Sequence, residues 1–115
     1  MFPMNTYRIL IEKFIGGEVV EDRELAKKFT TIFYTVLGYL TSNTVLVSSF
    51  CDDEGCSLTV KSTLSLDELV GEIVNLLRGL LNVKKVTLSK VSDGEYLLTV
   101  AVKGVKYDLM RISLT

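Results

Sequence analysis

The sequence predicts an α+β two-layer sandwich in which an antiparallel sheet of about five strands carries two or three helices on one face. Two segments, 22–43 and 65–81, repeat apolar residues at helical spacing. Shorter β-branched runs lie between and after them, and Asp93-Gly94 and Lys103-Gly104 suit two-residue hairpin loops joining the last three runs. A chain of 115 residues, 48% apolar and with one proline, reads as a single domain over residues 1–115. It is long enough to bury a core without metals or disulfides.

The first segment, 6–15, admits two readings. Tyr7, Leu10, Ile11, Phe14 and Ile15 recur at helical spacing, Asn5 or Thr6 can cap, Arg8 and Glu12 form an i,i+4 pair, and Gly16-Gly17 stops the run. The run Ile9-Leu10-Ile11 supports a strand instead, and helix is the favoured reading. In the second segment Asp22 caps, Glu24 lies in the first turn, and Leu25, Phe29, Ile32, Phe33, Val36, Leu37 and Leu40 form one apolar stripe that ends near Ser42-Asn43. Thr30, Thr31, Ile32 and Thr35 are β-branched, so packing has to hold this helix. Tyr34 and Gly38 fall off the stripe and are expected to face solvent.

Residues 44–50 and 56–63 read as strands around an acidic turn. Ser65-Leu66-Asp67-Glu68 is a capping box, with Leu64 and Leu69 as a hydrophobic staple. The helix it starts carries Leu66, Leu69, Val70, Ile73, Leu76, Leu77, Leu80 and Leu81 on a broad face suited to a sheet. Strands at 83–91, 95–103 and 105–114 close the chain. A two-residue loop at Lys103-Gly104 sets Val102 opposite Val105, Val100 opposite Tyr107, Leu98 opposite Leu109 and Tyr96 opposite Arg111. That register leaves Leu97, Ala101, Met110, Ile112 and Leu114 on the other face, to be covered by the first helices or by another subunit. Leu97, Met110, Ile112 and Leu114 are therefore the candidate interaction face.

The order helix, strand, strand, helix and three strands over residues 22–114 resembles the roadblock-type family of dynein light chains and GTPase regulators. Val86-Thr87-Leu88 followed by Asp93-Gly94-Glu95-Tyr96-Leu97-Leu98 looks like that family's third-to-fourth-strand hairpin. The resemblance implies two helices on a five-stranded antiparallel sheet, no catalytic residues, and a homodimer or heterodimer platform. With residues 6–14 as a strand, the order instead resembles a ferredoxin-like sandwich with a terminal hairpin, a fold that hosts many unrelated functions.

Composition removes several chemistries. There is no histidine, so the usual base near neutral pH and the commonest metal ligand are missing. The net charge of −1 conceals a mildly acidic first part and a mildly basic last third, without a clustered basic face. No secretory leader and no apolar run of about 18 residues is visible, which leads to the expectation of a soluble, cytoplasmic protein. Many Val, Leu, Lys and Glu residues with little Pro, His or Gln suit a thermophilic source.

Both cysteines flank the acidic turn Asp52-Asp53-Glu54-Gly55. The Cys51–Cys56 spacing is not the two-residue spacing of a zinc knuckle or redox motif, and no further Cys or His completes a zinc site. The three acids read as solvated turn residues. A two- or four-residue loop places Cys51 opposite Cys56, where a disulfide is feasible, whereas a bulged turn with Gly55 in the left-handed region shifts the register and separates them. Asp at the first turn position and Gly at the fourth favour the bulged form, and with it free thiols.

These features favour a non-enzymatic protein-interaction or assembly module that forms a homodimer and needs no cofactor. The alternative is a small nucleic-acid-binding protein. It would use a rim of Lys84, Lys85, Lys90, Lys103 and Lys106 on the C-terminal hairpins, with Tyr96 and Tyr107 stacking on bases.

Overall fold

The first segment is a strand in the computed structural model, which describes residues 3–12, 23–52, 55–81, 86–102 and 105–115. In chain order the elements are β1 (Asn5–Glu12), α1 (Arg23–Asn43), β2 (Val45–Cys51), β3 (Gly55–Ser62), α2 (Leu66–Leu81), β4 (Val86–Ser92), β5 (Glu95–Val102) and β6 (Val105–Leu114). All six strands join one antiparallel sheet in the order β2-β3-β1-β6-β5-β4. The α+β class stands, with six strands where about five were expected and two helices among the described residues.

The helical reading of 6–15 is corrected by the side chains that β1 buries. Tyr7, Ile9 and Ile11 are buried while Arg8 between them is exposed, a period of two rather than 3.6. β1 lies at the sheet centre, paired to β3 on one side and β6 on the other. Helical propensity in Leu10 and Glu12 yields to two ladders of backbone hydrogen bonds and a fully buried face. The expected Gly16-Gly17 stop lies outside the described residues.

One face of the sheet and both helices share a single core. Ile32, Val36 and Leu40 of α1 and Leu69, Val70, Ile73, Val74 and Leu77 of α2 pack with Tyr7, Ile9, Leu58, Val60, Leu98, Val100, Met110 and Ile112 of the sheet. The capping box forms as expected: the Glu68 amide donates to Ser65 Oγ at 3.2 Å and the Ser65 amide to Glu68 Oε1 at 3.4 Å. Ser65→Ala is expected to cost about 1 kcal/mol in urea unfolding. The buried Tyr7 hydroxyl donates to the Leu64 carbonyl at 2.6 Å, which ties the central strand to the turn entering α2.

α1 ends at Asn43, where the Thr44 amide and hydroxyl both donate to the Leu40 carbonyl, at 2.9 and 2.6 Å. Tyr34 and Gly38 face solvent, as the pattern predicted. A Cβ added at Gly38 would meet nothing within 4 Å. Gly38→Ala should therefore raise stability by about 0.5–1 kcal/mol, because alanine loses less chain entropy than glycine in a helix. An unchanged or lowered denaturation midpoint would count against an open site there.

The C-terminal strands follow the expected register only in part. Val102 opposes Val105 and Val100 opposes Tyr107, but the pairing then slips so that Leu98 opposes Met110 and Tyr96 opposes Ile112. Leu109 is the extra residue of a β-bulge, and Leu109 and Met110 are both buried. This overturns the opposite-face assignment of Met110 and Ile112, both of which are fully buried in the core. At the other hairpin Ser92 opposes Glu95 across Asp93-Gly94, Gly94 has φ of +84°, and its carbonyl accepts from the Leu114 amide at 2.8 Å.

Candidate interaction surface

The face of the sheet turned away from the helices is mostly hydroxyl and charge. Register places Ser57 and Thr59 of β3 beside Leu10 and Arg8 of β1, and these beside Arg111 and Ser113 of β6, with Leu97 beyond Arg111. Arg8 Nε donates to Ser57 Oγ at 3.4 Å, and Arg111 lies 3.6 Å from Glu95. Of the four residues expected to form an apolar interaction face, Met110 and Ile112 are core, Leu97 is half-buried among these polar neighbours, and Leu114 is half exposed at the strand end. They do not form one surface.

The exposed apolar surface lies instead at the sheet edge. Every residue of β2 is exposed, with Val45 at 51%, Val47 at 53% and Phe50 at 68%. The strand Val45–Cys51 contains no charged residue. At the opposite edge, β4 is equally exposed beyond Val86 but carries Lys90, whose ammonium lies 3.5 Å from Asp93. A lysine on an edge strand opposes pairing with another chain; β4 has this protection and β2 lacks it.

The hairpin that presents β2 is closed by a Cys51–Cys56 disulfide, contrary to the favoured free thiols. The Asp52 amide donates to the Gly55 carbonyl at 2.9 Å, and the Gly55 amide donates to the Asp52 carboxylate at 3.1 Å. Cys51 and Cys56 are therefore a directly opposed pair without mutual backbone hydrogen bonds, the kind in which Cα atoms approach most closely, and they are 4.1 Å apart. Gly55 has φ of +154°, well away from the left-handed conformation that the expected bulge needs. The strand's irregularity falls instead at Val47, where the pairing shifts between Leu46–Val60 and Ser48–Thr59.

The lysine rim is divided. Lys84, Lys85 and Lys103 lie outside the described residues. Lys90 pairs with Tyr96 on the helix side of the sheet, and Lys106 pairs with Ala101 on the other side. Tyr96 is half-buried against the core and its hydroxyl donates to Asp67 at 2.6 Å. That hydrogen bond, with smaller contributions from burial and the carboxylate charge, raises the phenol above its ordinary pKa. Tyr107 belongs to β6, and the position of its ring is outside the described features.

Among the described residues no group of three or more His, Cys, Asp or Glu is placed to hold a metal, and no helix is long and apolar enough to cross a membrane. Among the described residues the geometry offers an exposed strand edge for pairing. Val45, Val47 and Phe50 were not singled out from sequence, although a seven-residue strand without charge is the available signal. Compared with protein-family models, curated proteins and solved structures, the chain finds no match.

Proposed function

We propose that this chain is a non-enzymatic protein-interaction module that self-associates as an assembly platform. The observation carrying this reading is the β2 edge, which exposes Val45, Val47 and Phe50 and bears no charge. Uncharged, apolar edge strands recruit further strands unless something covers them. Sedimentation or light scattering at micromolar concentration tests it: a mass near twice 12.8 kDa is expected, and a monomer across the accessible concentrations would remove the proposal.

The finer fold reading we favour is a ferredoxin-like core with a hairpin added before the last strand. Its support is the leading strand β1, which makes the order strand, helix, strand, strand, helix and then strands. A roadblock-type order begins on a helix. A cytoplasmic setting accords with the Cys51–Cys56 bridge in a cell whose intracellular proteins retain disulfides, as those of hyperthermophiles do.

A further inference from the structure

We infer that the β2 edge is completed by β2 of a second copy of this chain, antiparallel about a two-fold axis at which Val47 of each copy meets Ser48 of the other. The inference rests on the self-association proposed above and names its surface and register.

Backbone geometry sets which groups of β2 are available. Because Cys51–Cys56 is a pair without mutual hydrogen bonds, alternation makes Phe50–Ser57 a bonded pair, Ser49–Leu58 an unbonded one and Ser48–Thr59 a bonded one. The amides and carbonyls of Ser49 and Cys51 therefore point away from β3. Beyond the Val47 irregularity the alternation resumes on β3, which leaves Leu46, opposite Val60, pointing outward as well. β2 thus has outward backbone groups at Leu46 and Ser49, symmetrically placed about the Val47–Ser48 step.

Laying two copies antiparallel about that step sets Leu46 of each against Ser49 of the other, outward groups facing outward groups. The next pair is Val45 against Phe50. In each chain Val45 opposes Lys61 and Phe50 opposes Ser57, positions on the sheet face away from the helices, so both side chains lie on one face of the joined sheet. Aromatic and β-branched residues make favourable cross-strand pairs, and the symmetry supplies this one twice. The irregularity at Val47 sets the outward groups of each strand three residues apart, and the two-fold matches these equal intervals against each other.

Charge selects the partner edge. No charged residue occurs in Val45–Cys51, and Asp52 of each copy lies beyond the overlap, so no like charges meet. Pairing β2 with β4 of another copy would bring Lys90 onto an apolar edge and would be a head-to-tail contact, which leaves each pair with a further free edge of either kind. The two-fold arrangement closes after two copies and yields one twelve-stranded sheet.

Ser49→Pro tests this in the full-length protein. The Ser49 amide makes no bond to β3, so proline is compatible with the folded monomer but removes an intermolecular donor in each copy. The dimer dissociation constant from sedimentation equilibrium is expected to rise about a hundredfold, as two lost backbone bonds at roughly tenfold each imply. Phe50→Lys serves as a second variant, placing two like charges at the joint; it should also shift the protein to monomer while far-UV circular dichroism stays unchanged. A wild-type protein that is monomeric throughout defeats the self-association reading itself. A wild-type dimer that both variants leave intact overturns the β2 joint alone, and concentration-dependent growth beyond a dimer overturns the closed two-fold.

Discussion

Ile112→Ala is expected to lower the free energy of unfolding by about 3 kcal/mol, whereas Leu97→Ala, from the same expected apolar face, should cost less than about 1 kcal/mol. Ile112 is fully buried, opposite Tyr96 on one side and Ile9 on the other, and lies in the cluster with both helices. Removing its branched end deletes buried apolar surface and leaves a cavity bounded by central strands, which have little room to collapse. Leu97 opposes Arg111 on the polar face and is half exposed to water already. Urea unfolding of both variants, with slopes compared to check that the transition is unchanged, measures the contrast. Equal losses would restore the register without a bulge at Leu109.

That bulge also explains how far the sequence could be read. The two helices, the capping box and the Asp93-Gly94 turn were legible because each is specified by residues within a few positions. The β5–β6 register depends on a slip that changes the phase of β6 partway along. Its trace is present: Lys106 and Asp108 are polar two residues apart, then Arg111 and Ser113 are polar two apart, with an interval of three between them. Without the bulge Asp108 would share a face with Met110 and Ile112; with it, all four polar residues lie on the face away from the helices. In β1 the competing patterns were closer, since Tyr7, Leu10 and Ile11 suit a helix while Tyr7, Ile9 and Ile11 suit a strand. Only tertiary pairing with residues roughly fifty and a hundred positions away decides between them. The exposed edge was missed for a related reason: whether a strand is central or at the margin is a property of the whole sheet.

Reduction of the Cys51–Cys56 bridge is expected to cost about 2 kcal/mol, the contribution of a cross-link closing a loop of about six residues. The loss should be local. β2 is held by β3 alone among the strands, with α1 contributing further contacts, so β2 and its hairpin are where constraint is removed. Urea denaturation with and without reductant should show the lower midpoint, and the double variant Cys51→Ser with Cys56→Ser should match the reduced protein. Labelling of two thiols by an alkylating reagent without reductant would show that no bridge exists in solution.

The adjacency of β1 and β6 sets the order in which this protein can acquire its structure. Arg8 opposes Ser113, and the Thr115 amide donates to the Thr6 carbonyl at 3.0 Å, so the sheet is joined at its centre by residues more than a hundred positions apart. During synthesis β1 precedes β3 and can pair with it once that hairpin exists, but its other side waits until the roughly one hundred residues that separate it from β6 have been made. Ile9 and Ile11 spend that interval beside an unfilled place in the core. Closing such a long loop is entropically costly before its contacts form, which puts folding in the slow, non-local class of small domains. Until β6 arrives, the nascent molecule exposes a second sticky edge, one that the finished protein no longer has.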